Sequence, residues 1–227
     1  KRQAQRMEIL FDEGASAVRK VSAWGAVEIV DPPQVIRSAE FDLDVGSGLM
    51  KAVGDEEAPA EVWLDRDVLR APTVTYEQRS GDIRTDGPGS LLYHSGAGRE
   101  AVPVEITWLT SMTYRAEPGV AHFQDGVGLV RESLRLTSDE MDLYFAEPGE
   151  GKGLAGSPGI SRAVARGHVV ASEPTRDRTI RKAAGDTLTW EAGAATLTLV
   201  GEPVMVWQGQ NVIKAPRVVL YREKDLV

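Results

Sequence analysis

The sequence predicts an all-β chain of two facing antiparallel sheets, built as a stacked and repetitive array of roughly 18–20 short strands. Three observations lead there. Short β-rich runs, such as Val27-Glu28-Ile29-Val30 and Val218-Val219-Leu220-Tyr221, are separated by clusters of Gly, Pro and acidic residues, with 23 Gly and 12 Pro in 227 residues. Helical periodicity is absent from nearly every window, and the one stretch that imitates it, from Ser133 to Phe145, fits the strand pattern below better. One short pattern recurs along the whole chain, and strands that repeat must stack to bury their inner faces.

The recurring pattern is apolar, any, small, any, any, apolar, any, apolar. It occurs at Ile36/Ser38/Phe41/Leu43, Leu69/Ala71/Val74/Tyr76, Leu109/Ser111/Tyr114/Ala116, Leu136/Ser138/Met141/Leu143, Ala183/Gly185/Leu188/Trp190 and Ile213/Ala215/Val218/Leu220, with a shortened copy at Ala4/Met7/Ile9. Residues two apart share one face of a strand, so the three-residue step after the small position changes phase. Each copy therefore reads as a strand that turns a corner through a bulge or bend. The small residue suits a crowded corner, and Pro72 and Pro216 follow it in two copies.

Between these copies runs a second strand that ends in glycine: Val21-x-Ala23-x-Gly25, Met50-x-Ala52-x-Gly54, Ile83-x-Thr85-x-Gly87, Ala163-x-Ala165-x-Gly167 and Leu197-x-Leu199-x-Gly201, with a degenerate member from Phe123 to Gly126. A third short strand often follows, as at Val62–Leu64, Leu91–Tyr93 and Val204–Trp207. The Gly/Pro-rich stretch 147–159 breaks the rhythm as a loop or hinge, which divides the chain into repeats over 1–146 and continuing repeats over 160–227 of one structure.

Composition narrows the function. Lys and Arg total 26 against 34 Asp and Glu, a net charge of -8, so no basic footprint exists for nucleic acid. There is no cysteine, hence no thiol catalysis and no disulfide. No apolar run approaches a membrane span, and Lys1 opens into patterned sequence without a signal peptide, so the chain reads as soluble. His94, His122 and His168 lie in different repeats with no metal-binding spacing, and His168 is expected to face solvent. Asp42-x-Asp44-x-Gly46 resembles a calcium loop but lacks its third acidic ligand and closing Glu. No nucleophile elbow or phosphate loop occurs, so no enzyme activity, metal or cofactor is expected.

Several phrases resemble a known family. Ala4-x-Arg6-Met7-Glu8-Ile9, Ala23-Trp24-Gly25-Ala26-Val27, Ala165-Arg166-Gly167-His168-Val169, Leu199-Val200-Gly201-Glu202-Pro203 and Ile213-Lys214-Ala215-Pro216-Arg217-Val218 are similar to the OstA-like, or LptA-like, organic-solvent-tolerance domains of lipopolysaccharide transport. The resemblance implies a β-jellyroll open at both ends and a periplasmic location, within a larger membrane-anchored or outer-membrane protein if this is one of its pieces. It also implies an apolar interior that carries lipopolysaccharide, or another acylated lipid, between the membranes. The residues expected to face inward as its lipid-binding lining are Phe41, Leu43, Val74, Tyr76, Tyr114, Met141, Leu143, Phe145, Leu188, Trp190, Val218 and Leu220; the same positions also suit plain core packing. Open terminal strands are expected to pair with other jellyroll transport proteins or head-to-tail with further copies, Arg222 to Asp225 placing charge at one end. Two other readings of the repeats remain, a polysaccharide-acting stacked-β enzyme and a self-assembling scaffold.

Overall fold

The structure is a computed structural model that describes residues 2–12, 17–95, 102–146, 159–175, 179–191 and 196–221. The stretch 147–158 and the charged residues Arg222 to Asp225 lie outside the described residues. Eighteen strands join in one hydrogen-bonded network, every pairing antiparallel. The N-terminal strands are Arg2–Gln3 (β1), Arg6–Phe11 (β2), Val18–Asp31 (β3), Gln34–Asp44 (β4), Leu49–Val53 (β5) and Ala60–Leu64 (β6). Asp67–Ala71 (β7), Thr73–Glu77 (β8), Asp82–Asp86 (β9), Gly89–Ser95 (β10), Val102–Trp108 (β11) and Ser111–Arg115 (β12) follow. The last six are long: Val120–Arg131 (β13), Leu134–Phe145 (β14), Ile160–Pro174 (β15), Ile180–Glu191 (β16), Thr196–Gln208 (β17) and Asn211–Tyr221 (β18).

The registers resolve this network into two ladders. Ladder A runs through β1, the C-terminal half of β3, the N-terminal half of β4, β6, β7, β10 and β11, then alternate halves of β13 to β18. Ladder B runs through β2, the other halves of β3 and β4, β5, β8, β9 and β12, then the remaining halves of β13 to β18. Each long strand thus belongs to both ladders and bends where it passes from one to the other. Between β4 and β13 the chain instead zigzags, with hairpins β6–β7 and β10–β11 in ladder A and β8–β9 in ladder B.

The corner explains both sequence patterns. In β3, two residues, Gly25 and Ala26, oppose the single Ala39; in β13, Asp125 and Gly126 oppose Asp139; in β15, Gly167 and His168 oppose Asp186. All six residues on the bulged side have positive φ, from 44° to 74°. These consecutive left-handed residues are bulges, and each swings its strand into the second ladder. The glycine that ends the second sequence pattern is therefore the corner itself at Gly25 and Gly167, and the small-x-x step is the inner side of the same corner.

Inward side chains form continuous rows. In ladder A, Ile29, Ile36, Val62, Leu69, Leu91, Ile106, Leu129, Leu136, Ala171, Ala183, Val206 and Ile213 face one another from rung to rung. Ladder B supplies two rows, one through Ala23, Phe41, Ala52, Val74, Thr85, Met112, Phe123, Met141, Ala165, Leu188, Leu199 and Val218, the other through Leu43, Met50, Tyr76, Ile83, Tyr114, Leu143 and Trp190. Residues of both ladders make one hydrophobic cluster, so the core lies between them. Thr85, the polar member of its row, is buried and accepts the Met112 backbone N–H at 3.0 Å.

One repeat departs from its reading. Leu109 stands at the first apolar position of its copy, yet it is 64% exposed. Ile106 and Trp108 face inward instead, Leu109 and Thr110 form the bend, and Met112 and Tyr114 are the inward pair. Leu109 then packs over Gly126, where an added Cβ would meet its Cδ1 at 2.6 Å. An extra residue at this bend shifted the pattern by one step.

At Gly167, φ is +72° and a Cβ would collide with the Asp139 carboxylate. Gly167→Ala should lower stability by more than the about 1–2 kcal/mol that a Cβ in the left-handed region costs by itself, because the Asp139 carboxylate must also move, whereas Gly209→Ala, also at positive φ but with open space around it, should lose only that conformational share. Equal denaturant midpoints for Gly167→Ala and the parent would refute the corner assignment.

Candidate functional site

The inner rows alternate large and small residues unevenly, and this decides where space remains. Near the β2 end, Ala23 and Ala52 stand in the row that carries Phe123 and Met141 farther along. A cavity of about 490 Å³ opens there between the ladders, lined by Met7, Ile9, Val21, Ala23, Phe41, Leu43 and Met50, with Glu28, Asp31, Gln34 and Gln78 among its polar lining. A second, of about 250 Å³, continues past Phe41 and Met50 to Ala52, Val62, Leu69, Val74, Tyr76 and Ile83. Together they reach the size usual for small-molecule sites, about 300–1,000 Å³.

Beyond Ile83 the interior is filled. Tyr93 and Tyr114 both meet Phe145 edge-on, at centroid distances of 5.4 and 5.8 Å, and Trp108 lies 5.4 Å from Phe123. The Trp108 indole donates to the Gly87 carbonyl at 3.1 Å, which fixes the largest ring of the cluster. Past these rings lies a groove with about 40 Å³ of space among Leu134, Leu136, Leu143, Ile160, Leu188, Trp190 and Leu197.

All twelve residues expected to face inward lie in or against the core. Phe41, Val74, Tyr114, Met141, Leu143, Phe145 and Leu188 are buried, while Leu43, Tyr76, Trp190, Val218 and Leu220 are half-buried and packed on it. The structure does not gather them into one cavity: Phe41, Leu43, Val74 and Tyr76 line open space, whereas Tyr114, Met141 and Phe145 belong to the packed section. Sequence reading missed Met50, Ala52, Val21 and Ile36 as cavity residues. The signal was available, because the glycine-ended strands carry the same two-residue alternation as the corner strands.

The polar groups on the outer face are engaged with one another. Asp142 accepts from Arg166 at 2.6 Å and contacts His122 Nδ1 at 2.6 Å. Burial alone would raise its pKa, but the bonds from Arg166 and His122 outweigh burial and hold the carboxyl below its ordinary value. His168, 91% exposed in its side chain, contacts Asp139 at 2.8 Å, and that carboxylate raises its pKa. His94 meets Asp67, whose carboxyl burial pushes upward against the bonds from His94. In the calcium-like stretch, Asp42 is bonded by Ser22 and Lys20, and Asp44 by the backbone and hydroxyl of Ser47. The three histidines sit in separate pairs, and among the described residues no group of His, Asp and Glu is arranged to hold a metal.

Fold and interior together describe an all-β protein of bent, stacked strands with an apolar inside. The family of LptA and LptD N-terminal domain LPS transport proteins matches residues 110–226, more than half of the chain, and the protein belongs to that family. It therefore has a role in lipopolysaccharide transport and is not an enzyme. Among solved structures, LptH from Pseudomonas aeruginosa, the LptA homologous periplasmic component of the lipopolysaccharide transport device, is similar at 16% identity and a TM-score of 0.42, over 48% of this chain and 74% of that one. No curated protein matches. The matched region begins at the bend before β12, so the two cavities that meet at Phe41 lie in the portion that precedes it.

Because Asp142 has a depressed pKa, its contribution to stability is present above the ordinary carboxylate pKa of 3.8 and is lost as pH falls below it. Asp142→Asn should cost about 2 kcal/mol at neutral pH, the worth of charged hydrogen bonds, and progressively less in acid. Thermal melts of both proteins from neutral pH down to acid check this; a difference that widens in acid would reverse the assignment.

Proposed function

We propose that the protein is a periplasmic lipid conduit, an open jellyroll of two facing sheets that takes the acyl chains of lipopolysaccharide between its ladders. The adjoining cavities that meet at Phe41 carry this reading, because their linings are mostly apolar, with Glu28, Asp31, Gln34 and Gln78 as polar members. With a net charge of -8 the protein has no overall attraction for an anionic lipid, so affinity comes from buried chain at about 0.8 kcal/mol per methylene. Phe41, Leu43, Val74 and Tyr76 are the first contacts. Tyr114, Met141, Leu143, Phe145, Leu188, Trp190, Val218 and Leu220 line the narrower continuation, which widens when a chain enters.

The ladder ends serve assembly in this reading. Among the described residues β2 pairs only with β3, and β18 only with β17, so each has an unpaired side. Met7, Ile9, Leu10 and Phe11 on β2 and Val212 and Ile213 on β18 are exposed. A strand from another jellyroll protein of the transport system, or from a further copy, would extend both ladders and cover these side chains. The protein works in the periplasm, in a larger membrane-anchored or outer-membrane assembly that joins the two membranes.

A photoreactive residue at Phe41 should label with lipopolysaccharide, and one at His168 should not; equal labelling at both would reduce the claim to surface adhesion. Ala52→Phe, which fills the second cavity, should weaken lipid capture at least tenfold at unchanged melting temperature. Unchanged capture in a folded Ala52→Phe protein would remove the cavities from the binding site. Light scattering should show mass growing with protein concentration, and Leu10→Lys, a charge on the edge strand, should suppress that growth. A constant mass in the parent would exclude self-pairing.

A further inference from the structure

A half-buried arginine on the inward side of its strand has no ion-pair partner among the described residues. Arg131 ends β13 just before the turn into β14, opposite Val104 and Leu134. Val104 and Leu134, like Arg131 itself, line the groove past the aromatic section. Its guanidinium lies 5.6 Å from the Trp190 ring centroid. Its Nε is buried and has no hydrogen-bond partner, and among the described residues no carboxylate pairs with it. Glu173, two strands along, is bonded to Arg181.

A buried donor of a charged group without an acceptor costs stability, and Trp190 satisfies only the face of the guanidinium. The in-plane N–H groups remain, and their fork matches the spacing of two phosphate or carboxylate oxygens. Around them the groove is apolar, lined by Leu134, Leu136, Ile160 and Leu197. With only about 40 Å³ of space, about one water's share of liquid volume, it takes an anionic group at its mouth and the first carbons of a chain, not a whole chain.

We propose that Arg131, held against Trp190, is an anion-recognition site that binds the phosphate of a phosphorylated amphiphile entering between the ladders. The inference rests on the reading of the interior as an acyl-chain site and assigns it a headgroup chemistry. In a protein of net negative charge, an inward cation without a carboxylate partner among the described residues supplies local selectivity that the overall field does not. Stacking on Trp190 also fixes the guanidinium before the ligand arrives, which lowers the ordering cost of binding.

Titration calorimetry with dodecyl phosphate, dodecanol and inorganic phosphate, on the parent, Arg131→Met and Arg131→Lys, tests this. Methionine keeps the apolar packing on Trp190, and melting curves confirm that each variant is folded. The parent should bind dodecyl phosphate at least tenfold more tightly than dodecanol. Arg131→Met should erase that preference without changing dodecanol affinity, and Arg131→Lys should keep part of it. A preference that survives Arg131→Met would overturn the site while leaving the acyl-chain reading intact. No binding of either dodecyl compound to the parent would sink the acyl-chain reading, and the lipid headgroup assignment with it. Saturable binding of inorganic phosphate that depends on Arg131, with no gain from the alkyl chain, would assign the site to free phosphate and also overturn the lipid assignment.

Discussion

Two paired strands that turn one corner together need unequal numbers of residues there, and this constraint organises the whole molecule. Alternation sends every second residue inward, so a strand that crosses the corner by an odd step must change parity to keep its apolar side inside. The bulges at Gly25-Ala26, Asp125-Gly126 and Gly167-His168 set two residues against one, so the bulged strand keeps its parity, as from Ala23 to Val27 and Ile29, while its partner changes parity, as from Ser38 to Phe41. Ile29 in one ladder and Ala23 in the other can then face the same interior from a single strand. The left-handed backbone this requires is tolerated by glycine, and Ala26, Asp125 and His168 adopt it beside one.

That same constraint made much of the fold legible before any coordinates. The three-residue step in Ile36/Ser38/Phe41/Leu43 is the written form of the phase shift, which is why a local spacing disclosed a bent strand and two facing sheets. The pairing order between β4 and β13 was not legible. There the corners fall at Gly54, Pro72, Gly87 and the Leu109-Thr110 bend, outside the strands, and nothing local to β5 says that it will meet β8 instead of β6. Leu109 misled for a related reason, since one added residue at a bend moves a leucine outside while leaving an acceptable pattern in the sequence.

The inward direction of the twelve side chains followed from alternation, but their surroundings depend on what stands across the interior. Phe41 and Met141 occupy the same row at equivalent positions of their repeats. Phe41 borders open space because Ala23 and Ala52 flank it, whereas Met141 is completely buried beside Phe123. Volume complementarity between facing rungs is a property of pairs distant in sequence, so periodicity alone does not reveal it. Arg131 was passed over for a similar reason: at the end of a strand, next to Glu132 and a turn, it reads as an ordinary surface arginine.

The two styles of strand also divide the molecule by the speed at which it can form. From β13 to β18 each strand pairs with the one immediately before it, so every ladder contact closes across a single connection with no strand in between. In the zigzag region, β5 waits for β8, β7 for β10 and β9 for β12, and each of those closures encloses an intervening hairpin. Loop closure of that kind must be met before the contacts reward it, and it slows folding relative to a simple meander. The C-terminal meander is therefore the natural nucleus, and the cavity-bearing region condenses onto it afterwards. During synthesis the slower half emerges first, with its strand edges unpaired until β13 arrives, which makes the nascent N-terminal half the segment most dependent on chaperone protection.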